Sequence, residues 1–185
     1  LTVTGTNFVK KNGSSNDIDV SKFSITGEGG SSYTLTSSDV EVGSRTTFSV
    51  TLNAADQLNV GGLLNKNGTS SDGGTTYNLA AADNWLAGAA ASADISDASS
   101  NGITVSNVAN PTLSSAVYDA ASGELTVTGT NFVKENGSNN DIDVSKLLIT
   151  GEGGGSYTLT SSDVEVSSST QFTVTLNAAD QLNVG

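Results

Sequence analysis

Leu1 to Lys10 reads LTVTGTNFVK, and Leu125 to Lys134 reads the same ten letters. Leu1 and Val3 alternate with threonine, the period-two pattern of a strand with one wet face. The chain goes on repeating itself. Residues 1–61 and 125–185 differ at nine positions only: Lys11/Glu135, Ser15/Asn139, Phe23/Leu147, Ser24/Leu148, Ser31/Gly155, Gly43/Ser167, Arg45/Ser169, Thr47/Gln171 and Ser49/Thr173. The period is 125 − 1 = 124 residues. That is the size of a domain, and far longer than a helical or leucine-rich repeat.

The same alternation recurs along each copy. Phe23 and Ile25 precede the turn-rich GEGG, then come Tyr33 and Leu35, Val40 and Val42, and Phe48, Val50 and Leu52. Ile103 and Val105 read as the closing strand of the unit, and Leu113 to Tyr118 as the opening strand of the next. Asn-Gly pairs at Asn12, Asn67, Asn101 and Asn136 mark turns, because both residue types accept positive φ. About seven short strands per period predict an all-β two-sheet sandwich. Pro111, the only proline, cannot donate to a ladder and marks a linker or strand entry. The boundary is therefore set near Asn110. Residues 1–109 form a repeat without its first strand, and residues 110–185 form the first part of the next.

One stretch departs from the β pattern. NAADQLNVGGLLNK opens on Asn53, a good N-cap, with Asp56 three residues on as in a capping box. Leu58, Leu63 and Leu64 are placed to face a sheet. This predicts a short helical connection, weakened by Gly61-Gly62. A second helical turn is expected in LAAADNWL, with Trp85 capping the core.

Composition narrows the function classes. The net charge is −12, from 19 acidic and 7 basic side chains. Nucleic acid is excluded as a partner, because phosphate binding needs a basic face. Anionic membrane surfaces are disfavoured for the same reason, and no apolar run approaches the ~20 residues of a membrane span. No Cys is present for disulfide or thiolate chemistry, and no His for general base or zinc chemistry. Ser-His arrangements, P-loops and dinucleotide fingerprints are missing too. Asp39 and Glu41, with Asp163 and Glu165, are paired carboxylates, but they alternate with valines and read as the wet face of a strand. The chain is expected not to be an enzyme.

Read from the boundary, the unit begins PTLSSAVYDAASGELTVTGTNF and continues through DIDVSK to GEGG and YTLT. This order resembles the immunoglobulin-like tandem repeats of very large secreted bacterial surface proteins and adhesins. The resemblance covers essentially the whole chain. It implies a tandem array, location outside the cell or on the bacterial cell surface, and junctions stiffened by calcium. The chain departs from calcium-binding repeats of the RTX type, whose glycine-rich nonapeptide it does not contain.

The calcium candidates are acidic. Asp17 and Asp19 in NDIDV, and Asp141 and Asp143 in the copy, stand at i and i+2 and project to one side of an extended segment. Glu28 and Glu152 in the next turn are the candidate third ligands for an ion that takes six to eight oxygens. The bland alternative is a loop closed by Asx-turns. Asp94, Asp97, Asn101 and Asp119 form a second acidic group near the junction. Lys22, beside Phe23, reads as a surface lysine rather than an isopeptide partner.

The expected function is structural: a spacer module of an extracellular adhesin or fibre. The rival is a calcium-dependent, lectin-like carbohydrate-binding module. Neighbouring repeats are the expected partners, along with other copies of the chain joined end to end by strand exchange. The mid-repeat opening residue and the absence of a starting Met predict that this is a segment of a longer array.

Overall fold

The computed structural model describes all residues, 1–185. The chain is mostly β, built of small antiparallel sheets with two short helices, and it divides into two units, Leu1–Val108 and Ala109–Gly185.

The first unit holds two three-stranded sheets. In one, β1 (Thr2–Thr4) pairs with β5 (Thr47–Ser49), which pairs in turn with β4 (Val42–Ser44). In the other, β2 (Phe23–Thr26) lies between β3 (Ser32–Thr34) and β6 (Asn78–Ala81). A single apolar cluster joins residues of both sheets, among them Phe23 and Ile25 from β2, Val42 and Phe48 from the other sheet, and Leu79 from β6. Phe48 sits at its centre, with ring centroids 5.5 Å from Phe8 and 5.6 Å from Phe23. Ile103 and Val105 form no full strand. This part of the chain is tied on by isolated bridges, Gly68 to Val105 and Asn78 to Gly102.

The helix α1 (Ala54–Leu63) forms as the sequence predicts, with the Asn53 side chain accepting from the Asp56 amide. Leu58, Val60 and Leu63 are buried along it. The second predicted helical turn does not form. Asn78–Ala81 is strand β6, held in register against Phe23–Thr26, and Trp85 follows in a turn. Alanine favours helix, but pairing along an open sheet edge outweighs a propensity worth a few tenths of a kcal/mol per residue.

The second unit repeats the first half of this plan. Here β8 (Glu124–Thr130) pairs with β12 (Gln171–Thr175), β12 with β11 (Val166–Ser168), and β9 (Leu148–Thr150) with β10 (Ser156–Thr158). It adds β7 (Thr112–Asp119), which covers the other edge of β8. The chain closes with α2 (Ala178–Val184).

The two copies act as a natural control on burial. Leu58 is 9% exposed, and its counterpart Leu182 is 84% exposed. Their local sequences are identical, so the difference comes from residues 62–108, which have no counterpart in the second unit. The reverse holds at the other edge. Leu125 and Val127 are buried beneath β7, whereas Leu1 and Val3 are only half-buried.

Candidate functional site

The acidic residues singled out in the sequence are not gathered into one site. No group of three or more Asp or Glu side chains converges closely enough to hold a metal ion. Most of these carboxylates instead take up backbone donors nearby.

Asp17 is fully buried and accepts from the Lys11 amide at 2.6 Å and the Val42 amide at 3.0 Å. Burial pushes its pKa up, but those two amides, together with Glu41 and the charge of Lys10, hold the carboxyl below the usual range. Asp141 makes the same pair of bonds, to Glu135 at 2.6 Å and Val166 at 2.9 Å. Lys11 and Glu135 differ in charge, yet only the amide is used, which explains why the substitution is tolerated. Asp19 turns away from Asp17. It caps a turn of 3-10 helix (Val20–Lys22), accepting from the Ser21 amide at 3.1 Å and hydroxyl at 2.6 Å. Asp143 does the same for Ser145.

Glu28 clasps a different loop. It accepts from the Gly73 amide and the Asn65 side chain, both at 2.8 Å, and from the Gly29 amide at 3.0 Å. Those donors, led by Gly73, lower its pKa. Glu152 has no counterpart of Asn65 or Gly73 in its own unit and stands exposed. The paired acids Asp39 and Glu41 are likewise structural. Asp39 accepts from the Val20 amide at 2.9 Å, and Glu41 from the Asn16 amide at 2.8 Å. In the copy, Lys134 reaches Glu165 at 2.8 Å. Near the junction, Asp94 accepts from the Ser96 amide and Asp119 from the Ala121 amide, each closing its own turn.

The strongest polar cluster was not legible as a site. Asp56, spaced as a capping-box residue, does not reach back to the Asn53 amide, which donates to the Ser37 hydroxyl instead. The Asp56 carboxylate is fully buried and accepts from the Thr36 and Ser37 amides, both their hydroxyls, and the Tyr33 hydroxyl. Asp180 repeats every bond, with Tyr157, Thr160 and Ser161. Burial alone would raise the Asp180 pKa; the hydroxyls of Ser161 and Thr160 and the amide of Thr160 bring it down to about 2. The only sequence signal was the recurrence of TLTSSD and NAAD in both copies. The arrangement ties the helix start to the strand hairpin. It leaves no proton donor or nucleophile free for chemistry.

Most of the aromatic residues are also engaged. The Trp85 ring packs edge-on against Phe8 at 5.6 Å and Phe23 at 5.5 Å, and its indole N–H donates to the Ile95 carbonyl at 2.7 Å. Tyr77 is fully buried, and Tyr33 and Tyr157 donate to the buried aspartates. None is displayed as a flat platform for a sugar ring. A groove of about 780 Å³ lies beside β1, lined by Val3, Ile25, Leu52, Val60, Leu79 and Ile103 among others. No helix is long and apolar enough to cross a membrane.

Comparison with known proteins finds no matching family profile, no matching curated protein and no matching solved structure.

Proposed function

We propose that the chain is a piece of a tandem array of immunoglobulin-like two-sheet sandwiches, serving as a structural spacer in an extracellular protein of the bacterial adhesin or fibre type. The observation that carries this reading is the sameness of the two copies. They share 61 − 9 = 52 residues, and both the Asp17 and the Asp56 bonding sets recur bond for bond in the second unit. Duplication maintained at that level suits a part used for its length. The resemblance in motif order supports the location, and the conversion of nearly every acidic candidate into a loop closure supports a mechanical rather than chemical role. Neighbouring repeats are then the partners, joined end to end.

The test is dimensional. Proteins carrying one, two and four periods of 124 residues are compared by small-angle X-ray scattering. A maximum dimension that grows by a constant increment per period supports the spacer. A dimension that grows no faster than a compact body of the same mass overturns it.

A further inference from the structure

The four Asn-Gly pairs of the chain all stand at turns, yet the fold treats them in two ways. We propose that Asn12 and its copy Asn136 are self-modifying sites, one per repeat, where the side-chain amide is lost to give aspartate or isoaspartate, while Asn67 and Asn101 are protected.

The reaction is internal to the loop. The backbone nitrogen of the glycine gives its proton to solvent and attacks the asparagine Cγ. A C–N bond forms, the side-chain nitrogen leaves as ammonia, and a cyclic imide results. Water then opens the ring at either carbonyl. One opening gives aspartate, and the other gives isoaspartate, with the main chain routed through the β-carbon. Water is the only co-reactant. Glycine puts no side chain in the path of attack. The step further needs an asparagine side chain free to turn, an unengaged N–H behind it and a loop that lets the two meet.

Asn12 and Asn136 meet these conditions. Both are exposed, neither side chain is hydrogen-bonded, and the amides of Gly13 and Gly137 have no acceptor. The carbonyl of the reacting peptide unit, by contrast, is held. Asn16 Nδ2 donates to the Asn12 carbonyl at 3.1 Å, and Asn140 Nδ2 to the Asn136 carbonyl at 3.0 Å. Deprotonation puts negative charge on that oxygen, and a donor already in place stabilises it. The loop also fixes the glycine. Gly13 and Gly137 have φ of 135° and 139°, and a Cβ on either would collide with the Asn16 or Asn140 side chain. The fold thus demands, after each asparagine, the residue that shields it least.

The other two pairs are tied down. Asn67 Oδ1 accepts from the Val108 amide at 2.9 Å, and the Gly68 amide donates to the Val105 carbonyl at 2.9 Å, so neither reacting group is free. Asn101 Nδ2 donates to the carbonyls of Leu79 at 3.0 Å and Asp97 at 3.3 Å, which holds the side chain away from the Gly102 amide.

The reactive loop lies over a buried acid. Lys11, next to Asn12, gives its amide to Asp17, and Asn16 gives its amide to Glu41. An isoaspartate lengthens the main chain between those two donors and so loosens their hold. Reaction at both sites takes the net charge from −12 to −12 − 2 = −14. The inference concerns the chemistry of the loop and stands whether or not the module is a spacer.

The full chain is aged in mildly alkaline buffer at physiological temperature. Peptide maps by mass spectrometry, with electron-transfer fragmentation to tell aspartate from isoaspartate, follow all four asparagines against synthetic peptides of the same local sequences. Asn12 and Asn136 should react within a few-fold of their peptides. Asn67 and Asn101 should react at least about tenfold more slowly than theirs, because their hydrogen bonds must first open. The double variant Asn12→Gln, Asn136→Gln should lose the early acidic species seen on anion exchange. The proposal is overturned if all four sites react alike in the folded chain, if Asn12 and Asn136 are slowed as much as the other two, or if the double variant acidifies as fast as the parent. The isoaspartate species, separated by anion exchange, should melt below the unreacted chain, and an unmoved midpoint would overturn the link to Asp17.

Discussion

The Ser161 amide donates to the Asp180 carboxylate at 2.8 Å, and both residues are buried. A carboxylate held this way must be charged to accept all its bonds, so the second unit is sensitive to acid. The folded pKa, about 2, lies below the ordinary 3.8. The stabilisation is therefore present above pH ~4 and is lost as pH falls through ~2. Asp56 and Asp17 are shifted in the same direction and act over the same side of the titration. Circular-dichroism melts from pH 7 to pH 2 should show a steep drop confined to the acid end. Asp180→Asn should cost about 3 kcal/mol at pH 7 and flatten the drop for the second unit. An unchanged acid limb in that variant would remove the account.

Phe48→Ala should destabilise the first unit by about 3–5 kcal/mol, since Phe48 is 1% exposed and touches Phe8 and Phe23. Asp39→Ala should cost about 1 kcal/mol. From the sequence alone Asp39 reads as a wet-face residue whose loss stays within about 0.5 kcal/mol, but it satisfies the amide of buried Val20. Urea unfolding followed by Trp85 fluorescence separates the two, and equal losses would reverse the assignment of Phe48 to the core.

Gly27 and Gly151 occupy the same position of the repeat and should respond differently. A Cβ at Gly27 would run into the backbone at Leu63, with its carbonyl carbon 2.7 Å away, whereas nothing lies within 4 Å at Gly151. Gly27→Ala should cost about 1–3 kcal/mol by overpacking, and Gly151→Ala should stay within about 0.5 kcal/mol. The comparison needs only the two single variants and their denaturation midpoints. Equal effects would show that the end of α1 does not pack against the Gly27 turn.

Millimolar calcium and a chelator should give the same melting temperature within about 1 °C. Binding to the native state alone must raise the midpoint by mass action. Yet Asp17 is filled by two amides, Asp19 points to Ser21, and Glu28 is spent on Gly73 and Asn65. A rise of several degrees, lost on Asp17→Asn, would mean that these acids rearrange around a cation.

The sequence carries strands and helix starts well where the signal is local. The alternation in LTVTGTNF and the Asn53 cap are both written within one turn or one strand. It carries partners poorly. Asp56 meets Thr36 and Ser37 across 20 and 19 residues, and Glu28 meets Gly73 across 45. No local spacing encodes such contacts. The alanine-rich stretch before Trp85 misleads for the same reason, because what makes it a strand is Phe23–Thr26, more than 50 positions away.

The near-identity of the two copies poses a problem of addressing while the chain folds. Residues 62–108 meet two almost equal surfaces on one polypeptide. Pairing Ala81 with Phe23 closes a loop of 81 − 23 = 58 residues, and pairing it with Leu147 would close one of 147 − 81 = 66. Loop entropy separates these by only about 0.1 kcal/mol. Among the few positions where the copies differ, residue 23 lies under Trp85, at 5.5 Å between ring centroids. An aromatic pair of that kind is worth about 0.5–1.5 kcal/mol beyond its buried area, and leucine cannot supply it. One substitution in an otherwise repeated text thus tells the middle segment which copy is its own.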